Sequence, residues 1–315
     1  MLRLGLCCVF KKERIKFRTT TAAALRKLDR QGALDKLSKI ILHNAASLRE
    51  ALEYCARNRI GAFRVKSEIF PLRTHPNAGY ELNELPEWEK IHSLFIKSHI
   101  FAKKQDIRLT FHPDQFVVLN SPRPEVVTSS ISELEHHGEM AELLEADVIN
   151  IHAGGVYGDK KTALKRLEKN IDRLSDRVRQ RLTLENDDRS YSPADLLPFC
   201  RNMGVPFVYD VHHHRCLRDG LTEGMAAKEA LETWDREPLF HISSPLHGWK
   251  GKNPEHHNDF IDIGDFPAYW LNLKVTVEVE AKAKELAVEK LQQDLWQIKY
   301  GNIGEIYEDT GVETG

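Results

Sequence analysis

Several features that mark secreted, membrane-bound or nucleotide-binding proteins are missing from this chain. No hydrophobic run approaches the roughly 20 residues needed to span a bilayer, and the apolar stretch at the N-terminus is too short for a signal peptide. No P-loop is present and no GxGxxG motif follows the first predicted strand, so we expect no nucleotide cofactor. The five cysteines include no CxxC pair, which argues against a zinc ribbon or a disulfide framework. We therefore expect a cytoplasmic protein with reduced thiols and no membrane partner.

The overall charge gives no support for nucleic-acid binding, because 45 basic and 47 acidic residues give a net charge of −2. Residues 159–181 are locally basic, but a solvated helix face explains such a run without any function. Fifteen histidines are a high number for 315 residues. Their positions along the chain are more informative than their number.

Short apolar or β-branched runs alternate with amphipathic helical segments along the chain. Strands that alternate with helices form βαβ units and a parallel sheet. Eight such units favour a (β/α)8 TIM barrel, in a single domain over residues 1–300. The acidic, Gly-rich residues 301–315 are expected to form a mobile tail. The predicted strands are Arg3–Phe10, Ile60–Ser67, Ile107–His112, Asp147–His152, Leu182–Asp187, Pro206–His212, Leu239–Ser243 and Val275–Ala281.

Helices are predicted where apolar residues repeat at intervals of three and four. The clearest example is Ala163–Val178, in which Leu164, Leu167, Ile171 and Leu174 follow this spacing. Three further segments have the same pattern: Glu87–Lys104, Val126–Leu144 and Lys284–Ile298.

The segment Val205–His214, VPFVYDVHHH, is the most informative in the chain, because one Asp and three His follow an apolar run. In a TIM barrel the chemistry takes place at the C-terminal ends of the strands, and other predicted strands also end in polar residues. A buried charge there is costly unless it is paired or bound to a metal. We therefore predict that these side chains meet around shared cations. They are His112, His152, Glu185, Asp210, His241 and Glu280, with His257 and Asp259 in the loop after the seventh strand.

Each of these residues also has a structural interpretation when it is taken alone. A single strand-end His is more often hydrogen-bonded than a metal ligand, and a buried Glu can pair with an Arg. Strict strand alternation would place His212 and His214 on the side of Asp210, whereas a turn after Val211 would let any of the three histidines reach the metals, so the spacing leaves the choice open. The histidines within helical segments are interpreted as structural: His43, His92, His99, His136 and His137.

The candidate ligands outnumber those that one zinc ion binds, because they include the carboxylates of Glu185, Asp210 and Glu280 and several imidazoles. A site with two or more metal ions, which bind the attacking and leaving oxygens of a phosphodiester, would require this number of ligands. The mixed nitrogen and oxygen donors suit Mn²⁺ or Zn²⁺ and do not distinguish between them. The pattern therefore predicts a metal-dependent hydrolase or isomerase.

Six motifs lie at or next to these strand ends: FHPDQFVVLNS (Phe111–Ser121), INIHAGGVYGDK (Ile149–Lys160), LTLENDD (Leu182–Asp188), YDVHHH (Tyr209–His214), HISS (His241–Ser244) and EAKAKE (Glu280–Glu285). Together they resemble the motifs of the UV damage endonucleases. The resemblance implies a TIM-barrel enzyme that cuts duplex DNA immediately 5′ of UV photoproducts, pyrimidine dimers and 6-4 photoproducts, and leaves a 3′-hydroxyl. It also implies UV-damaged double-stranded DNA as the partner and two or three divalent metals, commonly Mn²⁺, as the cofactor.

The resemblance also implies roles for individual residues. Gln115 and Phe116 match a polar–aromatic pair that probes the damaged site, since Phe116 can wedge into a weakened stack while Gln115 fills the vacated space. His75 matches a further active-site histidine, and Asp259 is an additional candidate. Glu185, Asp210 and Glu280 are the expected catalytic residues. The resemblance selects His213 from the triple His, which gives the expected metal ligands His112, His152, Glu185, Asp210, His213, His241, His257 and Glu280.

Three positions depart from the family pattern. Phe116 stands where some members have Tyr, and Leu6 where some have an aromatic residue. Leu239 stands where some members have a Lys that is open to modification near the metals. Four lysines are candidates for phosphate contacts, although solvated surface explains them equally well: Lys160, Lys161, Lys250 and Lys252.

Two other interpretations stay open. Another metal-dependent barrel, an apurinic/apyrimidinic endonuclease or a sugar isomerase, has a similar ligand set, but an isomerase would not need the Gln115–Phe116 pair. A non-catalytic damage-binding protein would bind irradiated DNA without a metal-dependent strand break.

Overall fold

The computed structural model describes residues 2–308, with side chains for residues 2–300, and shows eight parallel strands closed into one barrel. The strands pair in chain order, and β8 pairs with β1 to close the ring. This confirms the predicted TIM barrel and all eight predicted strands, each of which is shorter than predicted. The strands are β1 (Arg3–Cys7), β2 (Ala62–Val65), β3 (Arg108–Phe111), β4 (Val148–His152), β5 (Leu182–Glu185), β6 (Phe207–Asp210), β7 (Leu239–Ile242) and β8 (Thr276–Val279).

Helices connect the strands around the outside of the barrel. Those predicted near residues 87, 126 and 284 are present within three residues of their expected starts. The last helix continues to Glu308, beyond the boundary predicted at residue 300, and the remainder of the predicted tail lies outside the described residues. The helices are α1 (Ala22–Leu25), α2 (Arg30–Arg57), α3 (Trp88–Lys104), α4 (Pro124–Leu144), α5 (Lys160–Ile171), α6 (Asp176–Arg179), α7 (Pro193–Met203), α8 (Val211–Cys216), α9 (Glu223–Leu231) and α10 (Glu285–Glu308).

The prediction of a single helix over Ala163–Val178 is wrong. The chain forms two helices there, α5 and α6, which are separated by residues 172–175. Ser175 adopts an extended backbone conformation at the start of α6. Its backbone N–H and its hydroxyl donate to the two carboxylate oxygens of Glu135 on α4, at 2.8 and 2.6 Å. Hydrogen bonds to a neighbouring helix therefore outweigh the apolar periodicity at this position.

On β4, β6 and β7 the inward-facing residues change from apolar to polar towards the C-terminal ends of the strands. Val148, Val208 and Leu239 pack together as a small buried cluster, and the next inward-facing residue on each of these strands is polar, as the alternation of a strand requires. Gly5 makes room for one such residue, because a Cβ at this position would lie 3.0 Å from Cγ of Glu278.

Within residues 2–308, no helix combines the length and the hydrophobicity required to cross a membrane.

Candidate metal centre

The side chain of Glu185, at the end of β5, lies at the centre of the barrel mouth. Its Oε2 is 3.1 Å from Nε2 of His112, which follows β3, and 4.0 Å from Nε2 of His152, at the end of β4. These three residues form one group whose donor atoms all lie within 4.8 Å of one another. His112 Nδ1 lies 3.1 Å from the carbonyl oxygen of Pro113. A proton on that nitrogen leaves the Nε2 lone pair directed at the group, as metal-binding histidines require.

A second group joins Glu185 to Asp210 and His213. Asp210 ends β6, and its side chain caps α8 by accepting the backbone N–H of His213 at 2.8 Å. This cap turns the chain directly after the strand. It brings Nδ1 of His213 to 3.3 Å from Oε1 of Glu185.

The turn also separates the three consecutive histidines. His214 is used structurally, since its ring nitrogens lie 2.8 Å from the Tyr209 hydroxyl and 3.1 Å from an oxygen of Asp219. His212 is buried, and its ring centroid is 5.2 Å from that of Trp249. Strict strand alternation is therefore the wrong model after Val211, and His213 is the member of the triplet that faces the mouth.

A third group contains Asp210, His241 and Glu280, from the ends of β6, β7 and β8. His241 Nδ1 lies 3.1 Å from Oε1 of Glu185 and 3.5 Å from Oε1 of Glu280. Glu185 and Asp210 are shared between groups. The three groups are therefore one continuous cluster.

The protonation of this cluster is governed by the attraction between its carboxylates and imidazoles. Burial disfavours the charged form of Glu185, yet neighbouring His241 and His152 hold the pKa of its carboxyl well below the ordinary value. Burial likewise disfavours protonation of His241, but the Glu185 carboxylate raises the pKa of His241 to about 10. The Glu185 carboxylate is thus ionised at neutral pH and requires positive charge beside it.

The cluster contains buried polar atoms without hydrogen-bond partners in the described part of the chain. They include Oε1 of Glu185, Oδ2 of Asp210 and Nδ1 of His241. Buried polar atoms normally have a partner. A divalent cation would supply one, and the mixed imidazole and carboxylate donors are those that Mn²⁺ and Zn²⁺ accept. The residues present therefore fit a metal centre.

Three further predicted residues belong to none of the three groups. His257 Nδ1 is 3.9 Å from Oε2 of Glu280 at the rim. Asp259 is exposed, and its backbone carbonyl accepts the N–H of Ala283 at 3.0 Å. His75 lines a cavity of about 530 Å³ that Phe116 also lines.

Gln115 and Phe116 lie in an exposed turn three and four residues after His112. The Asp114 carboxylate accepts the N–H of Phe116 at 3.0 Å, which shapes the turn. Phe116 is 77% exposed, although a large aromatic side chain usually packs against the protein. The turn therefore presents an aromatic ring to solvent beside the mouth.

The lysines predicted to contact phosphate differ in their surroundings. Lys160 donates to Asp195 at 2.7 Å and lies over the ring of Tyr191, so its charge already has a partner. Lys161, Lys250 and Lys252 are exposed.

Sequence reasoning missed a layer of polar residues directly beneath the cluster. Arg64 and Glu278 are buried there as an ion pair, and Arg64 Nη1 also lies 2.7 Å from Oε1 of Glu280. Asn150 donates to Oε2 of Glu185 at 2.5 Å. The spacing in the sequence could have indicated Glu278, because it precedes Glu280 by two residues and the two side chains therefore point to the same face of β8.

Two of the positions that depart from the family pattern are buried in apolar surroundings. Leu6 is fully buried in the core. Leu239, also fully buried, lies two residues below His241 in the apolar layer with Val148 and Val208. No amine stands at this position to join the cluster.

The fold and the cluster define a TIM-barrel protein with a candidate metal centre at the C-terminal mouth of the barrel. Comparison with known proteins gives the family. The model of the UV-endonuclease UvdE family matches residues 2–308, and the chain belongs to this family.

Curated relatives and solved structures agree with this assignment. The UV DNA damage endonuclease of Bacillus cereus (strain B4264) is 33% identical over 298 residues, which cover 90% of each chain. The crystal structure of SacUVDE superposes with a TM-score of 0.84 at 28% identity, over 95% of this chain and 99% of that chain. Endonuclease IV from Thermus thermophilus has a TM-score of 0.58 at 15% identity, over 80% of this chain and 94% of that chain, which shows a shared fold alone.

Proposed function

We propose that this protein is a metal-dependent endonuclease that cuts duplex DNA immediately 5′ of UV photoproducts, both pyrimidine dimers and 6-4 photoproducts, and leaves a 3′-hydroxyl. The observation that carries the proposal is the convergence of incompletely hydrogen-bonded carboxylates and imidazoles at one barrel mouth in a member of the UvdE family. We further propose that the enzyme acts in the cytoplasm.

The residues proposed to hold two or three divalent cations are the three groups of the cluster with His257 at the rim. Mn²⁺ is the proposed metal, with Zn²⁺ as the alternative. When bound, such cations activate water as a nucleophile and stabilise the charge of a phosphodiester undergoing hydrolysis. Glu185, Asp210 and Glu280 contribute the negative charge that retains cations. A proton on Nδ1 of His112, which lies 3.1 Å from the carbonyl oxygen of Pro113, would hold its ring in one orientation.

Gln115 and Phe116 are proposed to test the duplex for damage. An exposed aromatic ring can enter a base stack, at a cost that is lowest where the stack is already weakened. Selection for damage would then follow from the deformability of the DNA rather than from its sequence. His75, on the cavity beside Phe116, is proposed to contact the displaced nucleotide, and Asp259 to contribute to the rim.

The exposed residues Lys161, Lys250 and Lys252 are proposed to contact phosphates of the duplex. Lys160 is also proposed to do so, but its ion pair with Asp195 must first break. These contacts would position the DNA without reading its sequence.

The function is tested by incision of 5′-labelled duplexes that carry one pyrimidine dimer, one 6-4 photoproduct, one abasic site or no damage, with Mn²⁺ or with chelator. We expect metal-dependent cleavage immediately 5′ of either photoproduct. Glu185→Gln should abolish cleavage while sparing most of the DNA binding, and Glu53→Gln, at an exposed ion pair on α2, should cleave normally. Preference for the abasic duplex, or tight binding of irradiated DNA with no cleavage, would contradict the proposal.

A further inference from the structure

The loop after β1 is the most basic segment at the mouth of the barrel. Between residues 8 and 21 it contains five basic residues and a single acidic one, Glu13. All five basic side chains are exposed, and none of them forms an ion pair with the described part of the chain. The basic residues are Lys11, Lys12, Arg14, Lys16 and Arg18.

A buried carboxylate fixes the first half of this loop. Glu285, at the first residue of α10, is completely buried. Its two oxygens accept the backbone N–H groups of Lys11 and Lys12 at 2.7 and 2.6 Å, and that of Glu13 at 3.2 Å. Three successive N–H groups that converge on one carboxylate hold the backbone of the loop in a single conformation.

Side chains of α2 fix the second half. The buried amide of Asn44 accepts the N–H of Arg18 at 2.7 Å and donates to its carbonyl at 3.0 Å. Ser47 donates to the carbonyl of Lys16 at 2.9 Å, and Ile15, the residue before Lys16, is buried. The loop is thus anchored from two helices by its backbone and its apolar side chain, while its cations point away from these anchors.

The loop lies beside the candidate metal centre. The N–H of Cys8, where the loop begins, donates to the carbonyl of Arg64 at 3.1 Å, and the guanidinium of Arg64 contacts Glu280. Pairing of β8 with β1 also places the loop after β8, which contains exposed Lys282, next to this segment.

We propose that the loop over residues 8–18 is a preformed binding segment for the phosphate backbone of duplex DNA, which it holds against the barrel mouth. This inference rests on the proposed function, because it names the surface that positions the DNA substrate. A backbone that is already ordered loses little entropy on binding. Cations that meet phosphates release condensed counterions, so the affinity they provide decreases steeply with salt.

The test compares two variants with equal changes in charge. The loop variant combines Lys11→Gln, Lys12→Gln, Arg14→Gln and Lys16→Gln. The control variant combines Lys97→Gln, Lys104→Gln, Lys169→Gln and Lys228→Gln, which replace exposed residues on the outer helices. Affinity for an undamaged duplex is measured at several salt concentrations, and thermal unfolding is measured for each protein.

The loop variant should bind about 10- to 100-fold more weakly near 0.1 M salt, with a slope of log affinity against log salt that is smaller by about 2 to 3. The control variant should retain the affinity and the slope of the wild type, and both should unfold near the wild-type temperature. Equal affinities and slopes for the loop and control variants would overturn the inference.

Acylation of lysines in the wild-type protein, with and without duplex, locates the contact directly. Lys11, Lys12 and Lys16 should be protected by DNA, while Lys97 and Lys104 should react equally in both samples. If the loop is protected but no photoproduct is cut, the proposed incision fails and the binding segment stands. If photoproducts are cut while the loop reacts equally with and without DNA, the binding segment fails and the proposed function stands.

Discussion

Nε of Arg64 donates to Oε2 of Glu278 at 2.5 Å, in the interior of the barrel beneath the candidate metal centre. Thr110 donates to the other oxygen of Glu278, and Nη1 of Arg64 lies 2.7 Å from Glu280. The cluster at the mouth is therefore supported by a buried charge pair. Removal of Arg64 would leave Glu278 with His241, whose Nε2 lies 3.2 Å from its Oε2, as its basic neighbour.

Replacement of Arg64 by Met should lower the free energy of unfolding by about 3–5 kcal/mol, because the buried carboxylate of Glu278 would lose its guanidinium partner. Addition of Glu278→Gln to this variant should restore part of the loss, since the buried charge that has lost this partner is removed. Urea unfolding of the wild type, both single variants and the double variant measures the coupling. Strictly additive losses would show that the two side chains do not interact.

Replacement of Asn150 by Ala should weaken Mn²⁺ binding by about 10- to 100-fold, because its amide orients the carboxylate of Glu185. Asn170→Ala is the matched control. Asn170 is also buried, and it donates to the carbonyl of Leu119 at 2.7 Å, away from the cluster. Both variants should lose comparable stability, but titration calorimetry should show weaker metal binding for Asn150→Ala alone. Equal metal affinities would refute a positioning role for Asn150.

Replacement of Phe116 by Ala should leave stability within about 0.5 kcal/mol of the wild type, because the ring is exposed. Loss of base stacking worth about 1–3 kcal/mol should weaken binding to irradiated duplex by roughly 5- to 150-fold, and Phe116→Tyr should retain it. Trp296→Ala removes an aromatic ring that is 57% exposed on α10 and should leave binding unchanged. A Phe116→Ala variant that still prefers irradiated over intact duplex to the wild-type degree would disprove the probing role.

The acid sensitivity of the fold should depend in part on Glu237, at the opposite end of the barrel from the cluster. Burial disfavours its charged form, but hydrogen bonds from Thr276 and Arg3 hold the pKa of Glu237 below its ordinary value. A folded-state pKa below the unfolded value of about 4.3 means that the stabilisation is present above that pH and is lost as the pH falls towards the folded-state pKa.

Glu237→Gln should therefore lower stability at pH 7 by about 1–3 kcal/mol, since Arg3 loses its charged partner. The variant should also show a smaller further loss between pH 5 and pH 3 than the wild type. Asp235→Asn removes a carboxylate that is 83% exposed and should change neither quantity. Denaturant unfolding at three pH values decides the matter, and parallel curves for the wild type and Glu237→Gln would rule out the linkage.

The strands and the polar residues at their ends could be predicted from the sequence because both signals are local. Most strands are mainly apolar runs, and a charged or imidazole side chain at the end of such a run is out of place unless it meets others. The placement of His213 could not be predicted from spacing, because it depends on the cap that Asp210 forms on α8. The roles of Arg64 and Asn150 could not be predicted, because each side chain acts through partners that other strands contribute. The break before Ser175 depends in the same way on Glu135 of a neighbouring helix.

The most direct test of the metal centre is a crystal of the protein grown with Mn²⁺ and measured on either side of the manganese absorption edge. We predict anomalous peaks at the barrel mouth, within coordination distance of Glu185, Asp210 and Glu280, and loss of at least one peak in crystals of Glu185→Gln. Absence of manganese from the mouth at saturating concentration, or peaks that persist unchanged in the variant, would contradict a centre built on these carboxylates.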